Sequence, residues 1–311
     1  MSELRLLEDP VRVAAFAFLA EQARLRGEAW PPVLPRETLA QGFMFEGQRV
    51  PLVGPPGIFK PAAVRDACPL SITTVAPPLD GPPPYADAME EDGLLTYRYR
   101  GTDIMHHENV GLRRAMQSRT PLVYFQGLVP GNYLVWWPVY VVADDPRDLA
   151  FVVELSAVDL TGVRDEPDVL DDLTKRYVWR QVKQRVHQAG FHQRVLAAYQ
   201  RTCALCQLRH EELLDAAHII PDGRPGGDPV VPNGFALCKI HHSAFDFNII
   251  GIRPDLVVEV REDVLVEIDG PMLRHGLQGL HGGVASTPRR LQLRPSVDRL
   301  EARYAEFRKA G

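Results

Sequence analysis

The sequence predicts an α+β protein in three parts: a β-rich N-terminal domain, a basic helical connector, and a C-terminal domain crowded with cysteine and histidine. Three observations carry this reading. Short apolar runs broken by Gly and Pro fill the first half, as in "GFMFEGQRVPLVG", "LLTYRYRG" and "TPLVYFQGLVPGNYLVWWPVYVVADD"; short strands at such spacing make a compact antiparallel sheet or barrel. From about 169 to 199 the pattern turns helical. Three of the four cysteines, Cys203, Cys206 and Cys238, then fall in the last third. The predicted boundaries are 1–165, 166–200 and 201–311.

Bulk composition narrows the class. The chain has 311 residues, 45% hydrophobic and 24% charged, and holds no apolar run long enough to cross a bilayer. Its start, "MSELRLLEDP", lacks a cleavable apolar segment, which points to a cytoplasmic protein without a membrane partner. A net charge of −5 excludes a histone-like basic coat, so a nucleic-acid partner needs a local basic face. In a reducing compartment a disulfide framework is not expected, and Cys68, beside Pro69, is read as a buried thiol. Many of the 27 prolines sit in "PPVLP", "VGPPGIFKP" and "VAPPLDGPPPY", which suit ordered connections.

Taken in order, Val13, Phe16, Leu19 and Ala23 predict an opening helix from Pro10 to Arg26. Strands follow, with "NVGLRRAMQSR" as a short helix among them and "AFVVELSAVDL" as the last. In "YRYR", a strand turns Tyr97 and Tyr99 one way and Arg98 and Arg100 the other. The connector has Leu173, Tyr177, Val182 and Val186, then Phe191, Val195 and Leu196; Gly190 is expected to split it into two helices. Lys175, Arg176, Arg180, Lys183, Arg185, Arg194 and Arg201 stand there without one acid, either a solvated face or a phosphate-contacting one. Past Gly251, "IRPDLVVEVREDVLVEI" alternates like a hairpin and "SVDRLEARYAEFRKAG" closes as a helix, serving as scaffold or dimer surface.

The cysteines carry chemistry. "CALC" (Cys203, Cys206) and "CKIH" (Cys238, His241) are two ligand pairs of identical spacing, which together satisfy a tetrahedral zinc. Four protein ligands leave no open position, so this zinc is structural. Nearby, His242 and Asp246 are four apart, so on a helix both side chains leave one face and can share a cation.

The order "AHIIP", "PNGFALC", then "HH" followed by "FD", over about 201–252, resembles the HNH nucleases, built as a β-hairpin and a helix around one divalent metal. The resemblance makes His218 the general base that activates water, Asn233 the residue that holds the loop and orients the base, and His242 a ligand of a catalytic Mg2+ or Mn2+. Where many members carry Asp or His before the first-motif histidine, this chain has Ala217. The cation is then held by His242 and Asp246 with waters and phosphate oxygens, or Asp215 reaches round to replace the missing ligand.

Less specifically, the stretch from "LLTYRYRG" to "YLVWWPVYV" resembles the PUA-like and SRA-like domains that precede HNH modules in modification-dependent restriction enzymes, so the N-terminal domain is expected to be a PUA/SRA-like barrel. Such domains read methylated cytosine, in several cases by extruding the base, which needs aromatic faces and hydrogen-bonding groups. Tyr97, Tyr99, Tyr124, Tyr133, Trp136 and Trp137 offer the first, several of them at strand positions that also suit packing; Arg100, Asp103 and Asn109 offer the second. Lys183 and Arg185 are the connector's candidate phosphate contacts, and Lys60 of "GIFKP" a further one.

The expectation is therefore a modification-dependent endonuclease acting on duplex DNA that carries 5-methylcytosine, working as a homodimer because two symmetric sites most simply break both strands. The alternatives are an HNH nuclease without modification dependence, of nicking or toxin type, and an inactive nucleic-acid-binding zinc module.

Overall fold

The computed structural model describes residues 9–27, 30–81, 93–155, 172–268 and 270–310, excepting the side chains of 172–178. The chain divides into two compact units, one made of 1–77 with 84–186 and the other of 78–83 with 187–311. The expected boundary at 165 lies outside the described residues.

In the first unit, α1 (Pro10–Arg26) starts where Asp9 Oδ1 accepts the Val11 N–H at 3.0 Å and stops at Gly27, whose φ of +63° is open to glycine. The inward stripe is Val11, Ala15 and Leu19, while Val13 is 39% exposed, so the predicted helix stands with a rotated face. Arg12 explains the rotation. Its buried guanidinium donates to the Pro69 and Pro121 carbonyls at 2.9 and 3.0 Å and pairs with Asp66, which turns its side of the helix inward.

Then come β1 (Val33–Pro35), α2 (Arg36–Gln41), the hairpin of β2 (Phe43–Phe45) and β3 (Gln48–Val50), β4 (Ile58–Phe59), β5 (Ser71–Thr74), β6 (Leu94–Arg98), α3 (His107–Ser118), β7 (Leu122–Val129), β8 (Asn132–Asp145) and β9 (Ala150–Leu155). The second half of the predicted strand "AFVVELSAVDL" lies outside the described residues. One sheet runs β4-β5-β7-β8-β9-β6, with β1 also on β8; β5 and β7 are parallel, the other neighbours antiparallel. The sheet curls on itself. Tyr97 of β6 donates its hydroxyl to the Gly57 and Thr73 carbonyls, each at 3.2 Å, so a side chain and no backbone ladder links β6 to the β4–β5 end. The Tyr97/Tyr99 and Arg98/Arg100 alternation holds: the tyrosines are buried and the arginines exposed.

One helix, α4 (Asp172–Ala198), runs straight through Gly190. The predicted break does not occur: a helical glycine costs only about 1 kcal/mol, and the burial of Phe191, Val195 and Leu196 beside it outweighs that.

The second unit contains the hairpin β10 (Leu214–His218) and β11 (Gly234–Cys238), followed at once by α5 (Lys239–Asp246). Next stand the predicted second hairpin, β12 (Ile250–Ile252) with β13 (Val258–Val260), then α6 (Glu262–Leu265), α7 (Pro271–Gly276) and the terminal α8 (Val297–Ala310). Phe191, Val195, Phe235, Leu237, Phe245, Ile250 and Leu300 pack into a single core. Residues 78–81 are built into this unit as a strap. Arg194, 3% exposed, donates to the Leu79 and Gly81 carbonyls at 2.6 and 2.7 Å, and Gln292 donates to Asp80 at 3.1 Å. Arg194 is therefore a structural anchor, and Arg201, partly exposed, is ion-paired with Glu211 at 2.8 Å. Among the described residues no helix is long and apolar enough to cross a membrane.

Candidate active site and metal cluster

The β10–β11 register places His218 opposite Gly234, at the loop end of the hairpin. Between them the chain makes a long excursion, and Asn233 ties it shut. Its Oδ1 accepts the Ile220 N–H at 2.9 Å, and its Nδ2 donates to the Ile220 and Asp228 carbonyls at 3.0 and 3.1 Å. Asn233 is fully buried, and its amide replaces the backbone pairing that the loop lacks.

Gly234 has a separate task. A Cβ there would meet Val195 Cγ2 at 2.7 Å and Phe191 Cζ at 2.8 Å. Without one, Phe191 of α4 reaches across and stacks on the His218 ring, with centroids 3.9 Å apart and planes 16° apart. The imidazole is thus fixed by a flat apolar face, and burial pushes it below the usual histidine range. Burial therefore favours its neutral form. His218 Nε2 is buried without a hydrogen-bond partner among the described residues, the state expected of a nitrogen whose partner is a substrate or water.

Helix α5 serves two sites with neighbouring residues, because successive side chains leave a helix about 100° apart. His241 turns into the protein and His242 turns out. His241 Nδ1 lies 3.5 Å from Cys203 Sγ and 3.2 Å from Cys238 Sγ, and Cys206 Sγ lies 4.0 Å from Cys238 Sγ. All four donor atoms fall within 4.8 Å of one another. A tetrahedron with Zn–S of about 2.3 Å and Zn–N of about 2.1 Å has edges of roughly 3.5–3.8 Å, so the cluster fits zinc. Two further features agree. His241 Nε2–H donates to the Gly276 carbonyl at 2.7 Å, leaving Nδ1 as the ligand. The neighbouring Cys238 thiol pushes the Cys203 thiol below the usual cysteine range, toward the thiolate that a zinc ligand needs.

On the outward side His242 stands between two carboxylates. Its Nε2 is 3.2 Å from Asp246 Oδ2, one helical turn on, and its Nδ1 is 3.4 Å from Asp215 Oδ2 of β10. The Asp246 carboxylate, with Asp215 behind it, raises His242 above the usual histidine range despite partial burial. A cleft of about 430 Å³ opens here, lined by His218, Asp222, Arg224, His242, Asp246, Asn248, Arg303 and Glu306 among others. Asp246 lines the cleft; Asp215 does not.

A hairpin and helix with this donor set match a known family over residues 203–253, whose description reads HNH endonuclease. The match is to an HNH endonuclease domain and spans these residues alone. No curated protein matches the chain. Among solved structures, a "Modification dependent TagI restriction endonuclease" is 17% identical, with 77% of this chain and 81% of that one covered and a TM-score of 0.28. "Structure of the Type IV phosphorothioation-dependent restriction endonuclease ScoMcrA" is 14% identical, with 60% of this chain and 50% of that one covered and a TM-score of 0.21. Likeness at that level assigns no substrate to this chain.

The second unit thus brings His218, His242 and Asp246 to one cleft, with Asn233 tying the loop after His218 and Asp215 farther along β10 beside His242, while Cys203, Cys206, Cys238 and His241 lie on the other side of α5. Sequence reasoning missed Phe191, which looked like ordinary helix core, and Arg303, which lies well beyond the motif.

The expected DNA-contacting residues of the first unit are placed differently. Trp136 is 1% exposed, its Nε1 donating to Gln126 at 3.3 Å, and Tyr97 is occupied in curling the sheet. Tyr99 is buried on Phe151, its hydroxyl donating to Asp144, which Arg113 also binds at 2.6 Å. Asn109 is fully buried; it accepts the Arg100 N–H at 2.8 Å and donates to the Arg100 and Asp103 carbonyls at 3.2 and 2.8 Å, so it clamps the loop before α3. Of the other aromatics, Tyr124 and Trp137 are core and Tyr133 is half-buried. Arg100 and Asp103 are exposed side chains of that loop; Asp103 Oδ1 accepts the Met105 N–H. On α4, Lys183 is half-buried, and exposed Arg185 donates to the Trp30 carbonyl at 3.3 Å. Lys60 donates to the Val64 carbonyl at 2.6 Å.

Proposed function

We propose that this protein is a modification-dependent DNA endonuclease, in which the first unit reads a modified base in duplex DNA and the HNH domain hydrolyses the phosphodiester. The observation that carries the hydrolytic half is His218, its Nε2 unpartnered, lining one cleft with His242 and Asp246. Neutral His218 takes the proton of the attacking water as its oxygen approaches phosphorus, and the bond to the leaving oxygen breaks opposite. Phe191 keeps the imidazole from swinging, and Asn233 fixes the loop that follows it.

His242 Nε2 and Asp246 suit a hard divalent cation such as Mg2+ or Mn2+, leaving positions for waters and phosphate oxygens. When bound, that cation stabilises charge on the phosphate and the leaving oxygen. Asp215 then takes the role of a carboxylate behind a ligand histidine: it accepts Nδ1–H and so aims Nε2 at the cleft. Zinc in the Cys203, Cys206, Cys238 and His241 cluster is structural.

The recognition half rests on the sequence resemblance to PUA/SRA-like domains. 5-Methylcytosine is the modification proposed, and a homodimer the assembly. A nuclease without modification dependence is the second reading. It is favoured by the burial of Tyr97, Trp136 and Asn109, whose polar groups are already engaged within the fold. Matched DNA fragments with and without 5-methylcytosine decide between them: cleavage of the modified fragment alone is expected with Mn2+ or Mg2+. Equal cutting of both would leave the nuclease and remove the dependence.

A further inference from the structure

Helix α8 (Val297–Ala310) lies outside the residues that match the HNH family, yet it sends Arg303 to the catalytic cleft. Arg303 is 7% exposed, and its hydrogen bonds fall at one place, the C-terminal end of α5. Nη2 donates to the Phe245 carbonyl and to the Asp246 carbonyl at 3.5 Å. Nη1 donates to Asn248 Oδ1 at 2.6 Å and pairs with Glu306 at 3.5 Å. The guanidinium also lies over the Phe245 ring, with Cζ 4.6 Å from its centroid.

The last carbonyls of a helix have no N–H of the following turn to accept from, and they form the negative end of its dipole. A cation with several directed donors answers both needs; a leucine of similar bulk would fill the space and leave the carbonyls bare. Taking a guanidinium out of water is expensive unless its donors are used, so the chain has committed costly chemistry to this helix end. That end carries Asp246, whose backbone carbonyl Arg303 holds while its side chain faces His242 in the cleft. Just after it, Asn248 takes a left-handed φ of +53°, a conformation asparagine tolerates, and Arg303 grips its side chain as well.

We propose that Arg303 is a positioning residue of the nuclease: from α8 it fixes the end of α5 so that Asp246 and His242 present their donor atoms together to a divalent cation. This rests on the reading of Asp246 and His242 as the cation's ligands. It makes the terminal helix part of the active site, although no residue of α8 needs to touch the reacting phosphate.

The test uses the full chain with Arg303→Lys, Arg303→Met and, as a reference, Asp246→Asn. Mn2+ binding without DNA is followed by calorimetry, cleavage is measured against Mn2+ concentration, and KM for DNA is taken at saturating Mn2+. Removing an outer partner of a metal ligand typically weakens metal affinity about 10–100-fold. Arg303→Met is expected to weaken Mn2+ binding by about 10-fold or more on that scale. Arg303→Lys should lose less, excess Mn2+ should restore much of the rate, and KM for DNA should stay near wild type. A folded Arg303→Met protein that binds Mn2+ as wild type does overturns the proposal, as does a raised KM with Mn2+ binding intact, which would make Arg303 a DNA contact. If Arg303→Met melts below the assay temperature, Arg303→Lys decides by the same two measurements. Asp246→Asn separates the failures: unchanged Mn2+ binding there removes the ligand reading itself, while a loss there with wild-type Arg303 variants removes only the role of Arg303.

Discussion

His218 and His242 share one cleft and experience opposite surroundings. Burial against Phe191 disfavours a charge on His218, whereas Asp246 and Asp215 favour one on His242. The base proposed for the reaction works only when deprotonated, so protonation of His218 should slow it. At saturating Mn2+ the rate should therefore hold from neutral pH to below 6.5, the ordinary histidine value, before it falls. A rate that drops by half above that value would contradict a depressed His218. His218→Ala should cut the rate by about 10²-fold or more, the usual weight of a general base, with the circular dichroism spectrum unchanged. Gly234→Ala is the informative neighbour. Its new methyl would drive Phe191 and Val195 aside, at a typical overpacking cost of about 1–3 kcal/mol, and release the His218 ring. A lower melting temperature together with lost cleavage is expected; a variant as stable and active as wild type would show that the stack is dispensable. At this scale the sequence was legible where chemistry dictates residue type at fixed spacing, as at His218, Asn233, His242 and Asp246. Phe191 was not legible, because an aromatic at a helical core position has the same signature whether or not a histidine lies on its far face. The same ambiguity hid the fate of Tyr97 and Trp136, whose strand positions fit a base pocket and a sheet core equally well.

Helix α5 is only eight residues long, and isolated helices of that length are unstable in water. It is held at its start by Cys238 and His241 of the cysteine cluster and at its end by Arg303. Since binding energy at a structural zinc is folding energy, Cys203→Ser should lose the zinc and lower the melting temperature of the second unit. Elemental analysis and calorimetry check this, and a zinc-free wild-type protein would remove the claim outright. The ββα element itself was readable, because the knuckle spacing and the hydrophobic strand "FALC" mark its ends. Two helical readings needed tertiary information. Gly190 does not break α4, since local propensity is weaker than the core that Phe191 and Val195 enter. The buried face of α1 is rotated from the apolar stripe, because a charged Arg12 goes inside once three carbonyls receive it.

On the scale of the whole molecule, recognition and cutting are predicted to be separable. Full-length His218→Ala, which should bind without cleaving, is expected to hold duplex DNA with 5-methylcytosine more tightly than the unmodified duplex. Raising salt should weaken both complexes through counterion release, while their ratio persists, because phosphate contacts do not sense a methyl group. Equal affinities in several sequence contexts would end the methylcytosine reading. Composition could set the class at this scale, but not the path of the chain. A proline-rich stretch read as a connection within the N-terminal half is, at 78–81, a strap of the other unit. Arg194 depends on it: without Leu79 and Gly81, a buried guanidinium loses two carbonyl acceptors. The two halves are therefore not interchangeable cassettes along the linear sequence. Swapping the first unit by recombination at a single crossover in α4 would bring in a foreign segment where the second unit expects its own residues, so an exchange of first units would require the strap to stay with the second.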